Sequence, residues 1–421
     1  MFDVLVLGAG PAGLFCALQA ASAARSAGRR LTIGVLEKNS GAGRKLLLSG
    51  SGRCNLTHTG PAADFYTHYG ENGKFLKACL QAFPNTSLTA YFESRGVRLA
   101  ELENGKVFPE SGKSGDVLGV LLRECRESGI EIVHKSPAVA LSISQSLFSV
   151  KTADRVFAAG SVVIATGGKS YPATGSSGDG YGMAAGLGHR ITAPRPALAP
   201  VLVKDYLFGG CAGNSLKNSP LFLYRENRIA AKGRGDVLFT HQGLSGPGIL
   251  DMSRYMKAGD EIRISMTGGS RDENFNREFL SRVSAGGRKK LKAIIASYGL
   301  SEAVSVTLLE FCGLSEDAKA AELDSGRRSR LLDALCAMPF IIQSTGGFET
   351  AMVTAGGICL AEVNPKTMES HLVPGLFFAG EVLDIDGDTG GYNLQAAFST
   401  GWMAGTGIAL RHGNTQIVPS S

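Results

Sequence analysis

The segment Val4-Leu5-Val6-Leu7-Gly8-Ala9-Gly10-Pro11-Ala12-Gly13 constrains the chain most, because four apolar β-formers run directly into a G-x-G-x-x-G and a helical stretch, Leu14 to Ala20, follows at once. A second apolar run, Leu31 to Leu36, closes on Glu37 and Lys38. Strand, tight turn, helix, strand and acid is the order of a dinucleotide-binding βαβ unit. Gly8 permits the turn, and Gly13 lets helix and strand pack closely. Gly10 lets the backbone approach a pyrophosphate at the positive end of the helix that Pro11 and Ala12 begin. Glu37 is placed to accept hydrogen bonds from a ribose of an adenosine half. Alone the glycine pattern is weak, since the chain has 56 glycines in 421 residues, about twice the usual ~7 %. The flanking strand, helix and spaced acid make it specific.

The far end of the chain narrows the nucleotide. Gly380-Glu381 ends an apolar run, where a backbone N–H and a carboxylate can reach ribityl hydroxyls or phosphate, and Asp384 is a second candidate for the same hydroxyls. In Gly390-Gly391-Tyr392-Asn393-Leu394-Gln395 the glycines let the backbone pass close to a flavin ring, and Asn393 starts a helix whose unpaired N–H groups face the pyrimidine edge. The two ends together point to FAD.

Between them, Gly41 to Asn55 is too glycine-rich for a regular element and reads as a long loop carrying Arg44, Lys45, Ser49, Gly50, Gly52, Arg53, Cys54 and Asn55. A cation near N1 and C2=O stabilises anionic reduced flavin, and Lys45 and Arg53 are the candidates for it. Cys54 reads as a small packed residue, with no resolving thiol evident. The strand Ser161 to Ala165 enters Thr166-Gly167-Gly168, a further turn facing a ligand edge. Acid–base candidates are His58, His241 and Tyr392, with Arg53 as a further catalytic candidate. The seven histidines are dispersed without metal-ligand spacing, so no metal is expected.

Composition agrees with a soluble cytoplasmic enzyme. Hydrophobic residues make up 44 %, no stretch approaches the ~18 uninterrupted apolar residues of a membrane span, and the opening run lacks the basic leader of a signal peptide. Eight cysteines without a C-x-x-C are expected to be free thiols in a reducing compartment, which disfavours a disulfide reductase. The net charge of +6 centres attention on Arg288-Lys289-Lys290-Leu291-Lys292 and Arg327-Arg328-Ser329-Arg330, but both sit among acids and read as solvated helix faces rather than a nucleic-acid track.

The expected fold is α/β: a Rossmann-like FAD-binding domain of glutathione-reductase type, interrupted by a β-barrel insert and a small helical subdomain. Prolines cluster from Pro194 to Pro200, β-rich runs follow, and helical periodicity takes over from Asn276 to Met338. The expected segments are 1–190 (FAD domain), 191–270 (β insert), 271–337 (helical), 338–351 (β insert, return) and 352–421 (FAD domain, second part).

Five motifs carry a family resemblance: Gly8 to Gly13; Gly43 to Asn55; Ala165 to Gly168 with Thr174 to Gly180; Phe239 to Pro247; and Val353 to Gln395. Across essentially its whole length the chain resembles the bacterial FAD-dependent oxidoreductase family that includes BaiN-like flavoproteins and an aminoacetone oxidase, and more distantly the flavoprotein subunits of fumarate reductase. The resemblance implies bound FAD, and it places the backbone of Val139 against the adenine. At Ser51 the family more often shows a third glycine, and a serine is expected to be tolerated there if its φ is negative.

The reading that follows is an FAD enzyme passing hydride between flavin N5 and a small organic substrate held between the flavin and the insert, with NAD(P)H as electron partner. Two alternatives stand beside it: a flavin amine oxidase using oxygen, and a flavin-containing RNA-binding or regulatory protein. Only one complete G-x-G-x-x-G is present, so a nicotinamide is expected to visit the substrate pocket itself.

Overall fold

In the computed structural model, which describes residues 1–414, the first apolar run forms the strand β1 (Phe2–Leu7). Its residues Val4 to Leu7 are buried, because β1 lies parallel between β2 (Ile33–Leu36) and the strand Val156–Ile164 and has helices over its faces. Val4 pairs with Ile33 on one side and Ser161 on the other. The sheet has seven strands, with Glu131–Val133 beyond β2. On its other side the strand Val156–Ile164 divides its partners. The antiparallel strand Leu147–Lys151 takes its first half, and Leu376–Phe378, from the far end of the chain, lies parallel to its second half.

The helix α1 (Pro11–Ser26) begins with proline at its first turn, where no N–H is required, and packs along the C-terminal helix Tyr392–Asn414. Gly401 and Gly405 allow this approach: a Cβ there would lie 2.5 Å from the carbonyl oxygen of Ala12 and 2.6 Å from that of Cys16. Phe15 meets Phe398 edge to face at 5.2 Å beside the contact. The nucleotide domain is therefore assembled from both chain ends. One compact unit comprises Met1–Arg195 and Met352–Ser421, of which residues 415–421 lie outside the described part.

The second unit, Pro196–Ala351, is built on a closed six-stranded barrel in the order Val201–Val203, Gly243–Ser245, Arg228–Phe239, Ser215–Arg225, Glu261–Ile264 and Met338–Thr345. The helices Glu273–Gly286, Leu291–Ala296, Glu302–Phe311 and Ser325–Ala337 fall between its last two strands. Barrel residues Phe239 and Phe340, Phe208 on the short helical turn Leu207–Cys211, and helical residues Leu291, Ile295, Leu308 and Leu335 share one core. In the first basic run Lys290 pairs with Asp317 at 2.6 Å and Lys292 with Glu302 at 2.7 Å; in the second, Arg327 pairs with Asp324 at 3.6 Å and Arg330 lies over the Phe311 ring at 5.1 Å.

All eight cysteines are free, and Cys359 is the one that is not buried. Among the described residues no helix is long and apolar enough to cross a membrane. Because the carbonyl oxygens that face Gly401 and Gly405 belong to helix backbone, Gly401→Val and Gly405→Val should each cost about 1–3 kcal/mol. Urea unfolding midpoints unchanged from wild type would contradict this packing.

Candidate functional site

The turn between β1 and α1 has two unlike faces. A Cβ at Gly13 would lie 2.0 Å from the carbonyl oxygen of Gly8, so strand and helix touch there. A Cβ at Gly10 would meet nothing within 4 Å, which leaves open space beside the helix N-terminus. Glu37, 7 % exposed, accepts hydrogen bonds at Oε2 from the Ala9 N–H (3.2 Å) and at Oε1 from the backbone N–H (2.7 Å) and side-chain amide (2.8 Å) of Asn39. The carboxylate thus holds the turn while one oxygen keeps acceptor capacity. Arg44 donates to Asn39 Oδ1 at 3.0 Å, and Lys38 pairs with Asp179 at 2.6 Å. Val139 is 59 % exposed and its N–H donates to Lys151 O at 2.8 Å.

Glu381 is the hub of a second cluster. Its Oε1 accepts from Lys45 Nζ, Ser170 Oγ and the Thr354 N–H, each at 2.9 Å, and its Oε2 accepts from Lys45 Nζ at 2.7 Å. Lys45 also donates to Ser170 Oγ at 2.6 Å. The Ala165–Gly168 turn lies against this cluster, since a Cβ at Gly168 would come within 2.4 Å of Thr354 Oγ1 and 2.9 Å of Glu381 Oε1. Gly167 has a φ of +75°. The hydroxyls of Thr166 and Tyr181 are buried with no hydrogen-bond partner. Burial, with the charges of Glu381 and Asp384 nearby, holds the Tyr181 hydroxyl in its neutral form by raising its pKa. Lys45, one of the two candidates for a cation near the flavin, has its charge paired with Glu381.

The Gly43–Asn55 segment contains a short helix, α2 (Arg44–Leu48), where a loop was expected throughout, and then winds left-handed. Gly50, Ser51, Gly52 and Cys54 have φ values of +56°, +59°, +85° and +61°. Ser51 thus does not meet the condition of a negative φ under which a serine is readily tolerated, and it carries the cost of a left-handed non-glycine residue, about 1–2 kcal/mol. The reason lies in the closure of the loop: the Cys54 N–H donates to Ser49 O at 2.9 Å and the Gly52 N–H to the same oxygen at 3.1 Å. Ser49 Oγ in turn donates to Leu46 O at 2.7 Å. Cys54 is fully buried and its thiol is pushed up to about 12 by burial, so it is no nucleophile. Arg53 is exposed, with its guanidinium 5.0 Å over the Phe108 ring. With its amide oriented so that nitrogen faces Thr57 O and oxygen faces the Gly391 N–H, the Asn55 side chain donates to the first (3.2 Å) and accepts from the second (3.1 Å), which joins this loop to the C-terminal motif.

In the C-terminal motif several groups are engaged by the protein. The Gly380 N–H donates to Thr400 Oγ1 at 3.0 Å and the Asp384 carbonyl accepts from Asn72 at 2.8 Å. Asn393 closes the preceding turn, accepting from the Gly387 N–H (2.8 Å) and donating to Gly387 O (2.9 Å) and Asp388 O (3.3 Å). Gln395 is fully buried and binds Thr57 Oγ1 (2.6 Å), Phe83 O (3.2 Å) and Ser399 Oγ (2.9 Å). Leu394 is half-buried on the same helix. A Cβ at Gly391 would lie 2.4 Å from Thr57 O.

Tyr392, 5 % exposed, is stacked between two histidines: His68 at 4.0 Å and 14°, His58 at 5.2 Å and 16°. The His58 nitrogens Nδ1 and Nε2 lie 2.8 and 2.9 Å from the carbonyl oxygens of Thr59 and Asn104. His68 Nδ1 lies 3.0 Å from Asp388 Oδ2. His241 belongs to the second unit and is exposed on its hairpin, where the Thr240 N–H donates to Gly243 O at 2.9 Å. The residues missed from sequence are Ser170 and Thr354 around Glu381, and His68 with Asp388. The 320-residue separation of the last pair carries no local signal.

Open space at a helix N-terminus, hydroxyls buried without partners, and glycines where a side chain would collide are features that fit an extended dinucleotide. The comparisons agree. Residues 2–407 match the family model described as HI0933-like protein Rossmann domain. The chain is 29 % identical over 412 residues to a 3-dehydro-bile acid delta(4,6)-reductase of Clostridium scindens, covering 96 % of this chain and 98 % of that protein. It is 30 % identical over 403 residues to a ribosomal RNA dihydrouridine synthase of Escherichia coli, covering 95 % and 96 %. In fold it is similar to a quinol-fumarate reductase solved with menaquinol, with a TM-score of 0.51 at 14 % identity over 100 % of this chain and 72 % of that chain.

Since a side chain at Gly10 would meet no protein atom within 4 Å, Gly10→Val should fold with near-wild-type stability and yet purify without FAD. A yellow Gly10→Val protein with full FAD content would show that the pyrophosphate does not approach this turn.

Proposed function

The chain belongs to the HI0933-like family and is an FAD-dependent oxidoreductase, and from that premise we propose that it reduces a carbon–carbon double bond conjugated with a carbonyl in a small organic molecule. Two full-length relatives support this reading. One name describes a reductase acting on the double bonds of a 3-oxo steroid acid, the other the saturation of uridine to dihydrouridine. In each case the bond that takes up hydrogen lies in conjugation with a carbonyl group. Bound FAD would supply hydride for such a step, drawn from NAD(P)H.

The observation that carries the proposal is the composition of the site. The Cys54 thiol of this loop is buried with a raised pKa, so it does not stand ready for disulfide chemistry. Instead, Asn55 meets Gly391 and two histidines enclose Tyr392 beside the Gly390-Gly391 turn. In this reading the turn between β1 and α1 receives the pyrophosphate, Glu37 faces a ribose, and Val139 lies by the adenine. The Ser49–Asn55 loop and the first turn of the C-terminal helix face the isoalloxazine, and Lys45 and Glu381 act there as a pair. The acid–alkali pairing of the insert's basic runs favours a small molecule over RNA.

The test is anaerobic. Protein reduced by NADPH should be reoxidised by 4-androstene-3,17-dione or a related conjugated enone far faster than by a saturated ketone, and NADPH and enone should compete for one site. Reduction by amines under nitrogen, with peroxide formed in air and no response to enones, would establish the oxidase reading. Reoxidation by uridine-containing ribosomal RNA alone would move the substrate class to RNA.

A further inference from the structure

Reduction of a conjugated double bond needs a proton as well as a hydride. Hydride adds to the β-carbon, the π pair moves toward the carbonyl as an enolate, and a proton must then reach the α-carbon. Resting on the reductase reading above, we propose that His68 delivers that proton from Nε2 and that Asp388 is its positioning residue.

Two hydrogen bonds hold the pair together: the Asp388 N–H donates to His68 O at 2.9 Å, and Asp388 Oδ2 lies 3.0 Å from His68 Nδ1. A carboxylate only accepts, so Nδ1 carries the proton that it binds and Nε2 is left as the atom that gains and gives one. Stacking on Tyr392 at 4.0 Å fixes the plane of the ring. Its side chain is 38 % exposed, and that of Asp388 28 %, so an edge of the ring is open to a ligand and to solvent for reprotonation. Asp388 belongs to the turn that Asn393 closes, directly before the helix N-terminus assigned to the flavin.

The other histidines of this unit that face carboxylates or the stack lack one of these properties. His58 has a carbonyl oxygen at each ring nitrogen, which leaves no free nitrogen for transfer. The His189 side chain is 0 % exposed although Glu362 lies 3.3 Å from its Nδ1, and its Nε2 faces Ser370 Oγ at 2.9 Å. Burial lowers the pKa of His189, as befits a neutral structural ring. The charged and titratable groups about His68 are Asp388, Tyr392 and, across the Tyr392 ring, His58 and Tyr69. The Tyr69 hydroxyl is buried, held well above its usual pKa, and donates to Tyr392 O at 2.8 Å, so it does not compete for the role. The step balances: the C=C π bond breaks, C–H bonds form at the β-carbon from hydride and at the α-carbon from Nε2–H, and His68 regains its proton from water.

The test uses FAD-loaded protein reduced by dithionite and mixed anaerobically with 4-androstene-3,17-dione, with uridine-containing ribosomal RNA as a second acceptor. His68→Gln should keep its FAD and its reoxidation by oxygen but lose at least ~100-fold in reoxidation by the acceptor that wild type uses. Asp388→Asn, which retains the histidine, should lose about tenfold. A second readout needs neither turnover nor flavin: in protein stripped of FAD, ¹⁵N spectra should show His68 protonated at Nδ1, and Asp388→Asn should remove that preference. His68→Gln within threefold of wild type toward the acceptor, or a His68 ring protonated at Nε2 with Nδ1 bare, overturns the assignment while leaving the reductase reading intact. Wild-type reduced flavin that neither acceptor oxidises overturns the reductase reading and this inference with it.

Discussion

One carboxylate ties together distant segments of the first unit. Glu381 draws Lys45, Ser170 and the Thr354 N–H to itself, and those groups arrive from segments that the chain keeps far apart. Lys45 lies on α2, at the head of the left-handed loop that ends at Asn55. Ser170 follows the Ala165–Gly168 turn, and Thr354 lies on the strand Val353–Ile358. With Lys45 and Glu381 side chains about a quarter and a fifth exposed, neither charge is well solvated, and removal of one leaves the other without its partner. The pair therefore ties together the segments that carry Lys45, Ser170 and Thr354.

Around that hub, backbone geometry and side-chain chemistry divide the work. The Gly8–Gly13 turn offers open space at a helix N-terminus, while Glu37 holds the same turn through the Ala9 N–H. At the other end Asn393 and Gln395 shape the turn and anchor the helix, so their side chains support a surface that glycine backbone presents. The stack of His58, Tyr392 and His68 stands beside that surface. In the proposed reductase the first part would cradle the dinucleotide and the second would supply a proton.

Legibility in the sequence followed the range of the interaction. The βαβ opening and the Gly390-Gly391 turn were readable because local backbone demands select glycine there. The barrel and its helices were readable as a change from alternating to three- and four-residue periodicity. Side-chain partners across long separations were not: Lys45 and Glu381 are 336 residues apart, and nothing near either names the other. The same limit explains Gly380 and Gln395. Both were read as cofactor contacts from their motif, which could not also name the internal partners they have: the Gly380 N–H meets Thr400 and the Gln395 amide meets Phe83 and Ser399. Ser51 shows a different limit, since its left-handed conformation is imposed by hydrogen bonds to Ser49 that composition does not reveal.

The central claim is that Lys45 and Glu381 act as one unit in holding the cofactor-facing loops. A double-mutant cycle measures it directly, with FAD dissociation constants for wild type, Lys45→Met, Glu381→Gln and the double variant. If the pair is the hub, either single change should weaken FAD binding nearly as much as both together, with a coupling energy of roughly 1–3 kcal/mol. Strictly additive losses would contradict it and would mean that the two side chains serve the cofactor independently.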